Sequence, residues 1–166
     1  MLIYLGADHR GYAIKEYLKT FLKDAGYTVS DMGDMKVDEN DDYVDFASKV
    51  AERVSTDYDR SKGIVVCGSG AGVTVTANKY PNIRSAVALS PDQAYDLRND
   101  DDVNILGIGA NYTTPEAAKK IVTTWLQTPF AKEARFRRRL EKISQIEMKI
   151  NRPEFGGTPY EHNSND

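Results

Sequence analysis

The chain has 166 residues, 40 % hydrophobic and 28 % charged, the profile of one globular domain with a real core and of neither a fibrous nor a disordered polymer. Its 22 basic and 25 acidic side chains leave a net charge of −3, so no global basic excess points to a nucleic-acid backbone and any anion site must be local. One cysteine cannot form an intramolecular disulfide, and Met1 runs into a strand-like segment without a basic leader, so the expected compartment is the cytoplasm; no apolar run approaches the roughly 20 residues that span a bilayer.

Short β-rich runs alternate with segments of helical period, the pattern of a parallel sheet covered on both faces. The spacing predicts a strand at residues 2–5 and an amphipathic helix at 12–25 with Ile14, Tyr17, Leu18, Phe21 and Leu22 on one side and Gly26 as its stop. A strand resumes at 27–29. Residues 31–42, with six acidic side chains and Gly33, read as a loop, and 43–54 as a helix with Phe46, Ala47, Val50, Ala51 and Val54 at helical spacing. A third strand is expected at 64–67, a glycine-rich turn at 68–72, a helix at 73–79 and a fourth strand at 83–89. Pro91 opens a helix to about residue 99, a fifth strand follows at 104–108, and Pro115 opens a helix to about 126. A last helix at 132–150 sets Leu140, Ile143 and Ile146 on one face, as if for a neighbouring molecule. From Asn151 the composition turns to Pro, Gly, Asn, Ser and acids around Phe155 and Tyr160, so residues 149–166 read as a tail on a domain at 1–148. Five strands with intervening helices give an α/β three-layer αβα sandwich, whose ligands bind beyond the carboxyl ends of the strands.

Four segments carry chemistry. Gly6-Ala7-Asp8-His9-Arg10-Gly11 follows the first strand without a gap; it is a solvated capping loop or the wall of a site. Cys67-Gly68-Ser69-Gly70-Ala71-Gly72 follows the third strand, and its glycines let backbone N–H groups turn inward as a nest for an oxyanion or phosphate. A thiol in that position is either a buried structural cysteine or one whose thiolate is favoured. Arg98-Asn99-Asp100-Asp101-Asp102-Val103-Asn104 is a solvated turn; a metal site there is conceivable but not expected, because such loops space their ligands. In Arg135-Phe136-Arg137-Arg138-Arg139, Arg135 and Arg139 share a helix face, either as a solvated basic surface or as a clamp for one phosphate.

Together with Asp42-Tyr43, Asn78-Lys79 and Ile83-Arg84, these segments come in an order and spacing that resembles the ribose-5-phosphate isomerase B and galactose-6-phosphate isomerase family, over about residues 1–148. The resemblance implies a Rossmann-like, five-stranded parallel sandwich that forms dimers or pairs of dimers, with each active site shared between two subunits. It implies aldose–ketose isomerisation of a phosphorylated sugar with no metal or organic cofactor. Ribose 5-phosphate to ribulose 5-phosphate is the simplest case; another pentose or hexose phosphate, or sugar-phosphate binding without turnover, are the alternatives. By the same resemblance Cys67 is the base that moves a proton through a cis-enediolate, while Ser69 and the backbone of Gly68, Gly70, Ala71 and Gly72 hold the oxyanion. His9, Arg135 and Arg139 are phosphate ligands, and Asp8, Asp42 and Tyr43 position hydroxyls. Asp100 stands where the ribose-5-phosphate type has its ring-opening histidine, Asp101 where an asparagine follows, and Asn111 where an arginine often reaches the phosphate. No nucleic acid or membrane partner is expected.

Overall fold

A computed structural model describes residues 1–150, so the expected tail, with Phe155 and Tyr160, lies outside the described residues from position 151 onward. The chain forms two compact units, Met1–Lys132 and a second that begins at Glu133. The first holds β1 (Leu2–Ala7), α1 (Tyr12–Asp24), β2 (Thr28–Asp31), α2 (Tyr43–Thr56), β3 (Ser61–Cys67), α3 (Ala71–Ala77), β4 (Ser85–Val87), α4 (Pro91–Asn99), β5 (Ile105–Gly109) and α5 (Pro115–Gln127). The second carries α6 (Ala134–Ile150), whose Ile143, Ile146 and Met148 are exposed. Among the described residues no helix is long and apolar enough to cross a membrane.

All strand pairs are parallel, and the sheet order is β2-β1-β3-β5-β4. β3 is buried throughout except at Lys62, as expected of a central parallel strand covered on both faces. Alternation along it sorts the core. Ile64 and Val66 pack with Leu18 and Leu22 of α1 and Ile121 and Trp125 of α5, whereas Val65 and Cys67 pack with Val50 and Val54 of α2 and Val73 of α3. The Trp125 indole N–H is satisfied inside this core by the Val103 carbonyl at 3.1 Å.

The expected elements are all present, with shifted ends. α3 starts two residues earlier than its apolar pattern suggests, because Gly70 at φ +79° turns the chain sharply into the helix. A Cβ at Gly70 would also lie 3.0 Å from the Gly109 nitrogen, so only glycine fits the turn. β4 is shorter than its apolar run. It pairs on one side only, and its flanks are committed elsewhere: Arg84 N–H donates to the Asn104 side chain at 2.9 Å, while Ser90 caps α4.

Candidate active site

β1 has β2 on one side and β3 on the other, so the chain leaves these two adjacent strands in opposite directions and opens a crevice at their carboxyl ends. A cavity of about 180 Å³ occupies it, lined by Asp8, Arg10, Tyr43, Cys67, Gly68, Ser69, Gly72 and Asn111. All of these residues belong to the first unit.

Cys67 is the last residue of β3 and is 4 % exposed. It is part of the apolar layer beneath α2 and α3, yet it also forms part of the cavity wall. The Gly70 N–H donates to its Sγ at 3.2 Å, which aims a backbone donor at the sulfur from the loop that follows it. The Ser69 hydroxyl accepts from the Ala71 N–H at 3.2 Å, and the amides of Gly72 and Val73 sit in the first turn of α3, ahead of any intrahelical acceptor. Tyr43, at the start of α2, lays its ring over Gly72 so closely that a Cβ there would fall 2.6 Å from the ring. The strand end thus supplies a sulfur, a hydroxyl and several N–H donors around one small space.

The loop after β1 supplies an acid, Asp8, to the cavity wall, while the next residue, His9, is not among those that line it. Asp8 is buried, takes the Gly11 N–H at 2.9 Å, and is tied to β3 by its own N–H on the Val66 carbonyl at 3.3 Å. Burial pushes its carboxyl above the usual aspartate value, against the pull of the Gly11 amide and His9. His9 Nδ1 lies 2.5 Å from Asp41 Oδ1. That hydrogen bond, reinforced by the Asp41 and Asp8 charges, raises the imidazole above its usual value. Asp41 belongs to the acidic loop after β2, and Lys15 anchors the start of that loop. The Lys15 side chain is 0 % exposed and spans from α1 to both Asp31 carboxylate oxygens at 2.9 Å and the Asp34 carbonyl at 2.8 Å.

Other residues singled out in the sequence lie elsewhere. Asp42 is exposed at the cap of α2, and Ala71 is exposed at the start of α3. Asp100 caps the end of α4 and accepts from the Asn99 side chain at 2.7 Å, with Asp101 beside it. Both precede β5, so they sit at the amino edge of the sheet: β5 begins at Ile105 opposite Gly63, whereas Cys67 pairs with Gly109 at the other end, roughly 13 Å further along the strands. Arg135 and Arg139 are carried by α6 in the second unit, where both flank the Phe136 ring and Arg135 pairs with Glu133 at 2.8 Å. Asp102 is held by Arg84 and Arg98, and among the described residues no group of three His, Cys, Asp or Glu side chains gathers as for a metal. Two further residues line the cavity: Asn111, which holds the place where the resemblance puts a phosphate-reaching arginine, and Arg10, which has no assigned role in the sequence reading. Their signal was position, since each lies just past the carboxyl end of a central strand.

The family pattern described as Ribose/Galactose Isomerase matches residues 3–143. The chain belongs to the ribose/galactose isomerase family. Within it, the chain is 36 % identical over 159 residues to ribose-5-phosphate isomerase B of Mycobacterium tuberculosis, covering 96 % of this chain and 98 % of that one. The solved structure of ribose-5-phosphate isomerase B from Mycoplasma genitalium with bound ribulose-5-phosphate superposes with a TM-score of 0.87 at 34 % identity, covering 89 % of this chain and 97 % of that one. The Clostridium thermocellum ribose-5-phosphate isomerase B does so with a TM-score of 0.85 at 41 % identity, covering 90 % and 99 %. This family member is therefore an α/β sandwich of the same fold as those isomerases.

Proposed function

We infer that this protein interconverts an aldose phosphate and its ketose phosphate, ribose 5-phosphate and ribulose 5-phosphate, by proton transfer through a cis-enediolate. The observation that carries the reading is the Cys67 sulfur on the cavity wall with the Gly70 N–H aimed at it, in a chain of this family. The relatives named as ribose-5-phosphate isomerases, one with ribulose-5-phosphate bound, support the choice of sugar.

The chemistry needs a base at the C–H next to a carbonyl and donors at the oxygen that gains charge. Cys67, as thiolate, takes the proton from C2 of the open-chain aldose; the C–H electrons form the C1–C2 double bond and the carbonyl electrons pass to O1. Ser69 and the amides at the start of α3 hold that oxygen. The Cys67 thiol then returns its proton to C1, while the hydroxyl proton on O2 passes to O1 and leaves a carbonyl at C2. Asp8 and Tyr43 border the same space and orient hydroxyls. His9, whose imidazole pKa the Asp41 hydrogen bond raises, binds the phosphate, and that remote grip positions the reacting carbons; Arg135 and Arg139 are assigned to a phosphate by the family resemblance alone.

Asp100 and Asp101 serve this chemistry from a second copy of the chain. The separation of the two sheet edges favours that assignment, as do the exposed apolar residues of α6, and the assembly is a homodimer or a pair of dimers with shared sites. A carboxylate at Asp100 accepts a proton from the anomeric hydroxyl but offers none to the ring oxygen. Replacing Asp100→His is therefore expected to raise turnover of the cyclic sugar while leaving an open-chain substrate unaffected; an unchanged or lower rate on the cyclic form would contradict the role given to Asp100. The protein works in the cytoplasm, where a lone thiol stays reduced.

The direct assay incubates the purified protein with ribose 5-phosphate, and separately with hexose 6-phosphates, and follows ketose formation. Ribulose 5-phosphate should form fastest. Binding of sugar phosphates without any ketose would identify a binding protein instead, and a faster hexose reaction would reassign the substrate.

A further inference from the structure

A second cavity, of about 350 Å³, lies at the amino edge of the sheet, away from the sulfur. Lys62 is the second residue of β3 and Arg84 precedes β4; Arg98 closes α4, and Lys132 ends the first unit. Among the described residues, these four cations line the cavity together with two carboxylates, Asp59 and Asp102. Asp102 is already engaged by both Arg84 and Arg98, and among the described residues Lys62 forms no ion pair. Phe130 and Tyr58 provide apolar walls, and the volume suits a small metabolite.

We propose that this amino-edge cavity is a second anion site, built for a phosphate dianion, either free or as the monoester of a small metabolite. The Lys62 ammonium, without an ion pair among the described residues, shares a partly buried space with Arg98 and Lys132 and is stabilised by a dianion that offsets their mutual repulsion. Its pKa reflects that setting. Burial, followed by the nearby Arg98 and Arg84 charges, lowers it to about 8, with Asp59 working the other way. The charged and titratable groups facing it are Tyr58, Asp59, Arg84, Arg98, Asp102 and Lys132. A bound dianion restores the proton, so phosphate binding near pH 8.5 takes up a proton that binding at pH 6.5 does not.

The test titrates the full chain with inorganic phosphate and, separately, with ribose 5-phosphate, following backbone amide shifts around Lys62 and around residues 67–72. The two groups should report separate midpoints. Lys62→Met should weaken the amino-edge midpoint about tenfold and abolish the proton uptake measured calorimetrically in buffers of different ionisation enthalpy, while leaving kcat and KM in phosphate-free buffer unchanged. Should Lys62→Met fail to fold, Lys132→Met, on an exposed residue, must weaken the same midpoint. A lower midpoint for the sugar phosphate assigns the site to monoesters, and equal midpoints assign it to phosphate itself. No shift around Lys62, or a midpoint that neither substitution moves, overturns the proposal.

Discussion

His9 and Asp41 lie 32 positions apart in sequence, yet their side chains meet at 2.5 Å. The Asp41 hydrogen bond raises the imidazole pKa, so His9 holds its proton to higher pH than a free histidine. In the role proposed for His9 at the substrate phosphate, the protonated imidazole is the favoured form, an advantage present below its pKa that fades as pH rises through it. Asp41→Asn should move the imidazole titration back toward the ordinary value and raise KM for the sugar phosphate near neutral pH, with kcat little changed. With only two histidines in the chain, proton NMR reads the titration directly; an unchanged titration would remove Asp41 from this role. That Cys67, Ser69 and Asp8 come together at one cavity was legible in the sequence because each lies at or just past the end of a strand, where the carboxyl-edge rule looks for ligands. Asp41 and Lys15 were not. One is an acid among acids in a loop without period, and the other a lysine whose helical position resembles a solvated one until the loop folds over it.

Helix α1 illustrates the same limit at the level of an element. Its apolar stripe placed Ile14, Leu18 and Leu22 in the core, and they are there. Lys15 is buried beside them because the end of β2 and the loop after it bring Asp31 and the Asp34 carbonyl to its ammonium. Removing one partner of a buried pair leaves charge without compensation, so Lys15→Met should cost on the order of 3 kcal/mol in urea unfolding at neutral pH, with Lys19 limiting the loss. Burial works to raise the Asp31 carboxyl, but Lys19 and Lys15 outweigh it and hold it below the usual aspartate value. A depressed carboxyl contributes stability in full above the unfolded aspartate pKa of about 4 and loses it as pH falls through the lower folded value. Lys15→Met should therefore flatten the loss of stability on acidification; an equally steep loss would place the acid-sensitive contact elsewhere. The strand and helix pattern was legible because parallel sheets demand continuous apolar runs. The ends of α3 and β4 were not, since a left-handed glycine and an edge position set them.

At the scale of the whole molecule, the sulfur and the Asp100-Asp101 pair occupy opposite edges of one sheet. If a second copy joins them, Cys67→Ala and an Asp100→Ala/Asp101→Ala double variant should each be inactive alone. Unfolded and refolded together, they should recover about a quarter of wild-type activity, because half the dimers then carry one intact site. A mixture as inactive as its components would show that each site is complete within one chain. The resemblance implied shared sites without saying which residues cross between copies; the register of β3 and β5 shows how far apart the sulfur and the acidic pair stand within one chain. The most direct measurement is deuterium incorporation from D₂O into ribose 5-phosphate and its ketose by the wild-type protein and by Cys67→Ala, with circular dichroism confirming that both are folded. Wild-type protein should introduce deuterium at C1 of the ketose and C2 of the aldose, and the alanine variant neither. Exchange by Cys67→Ala at near wild-type rate would contradict the assignment of the sulfur as the base.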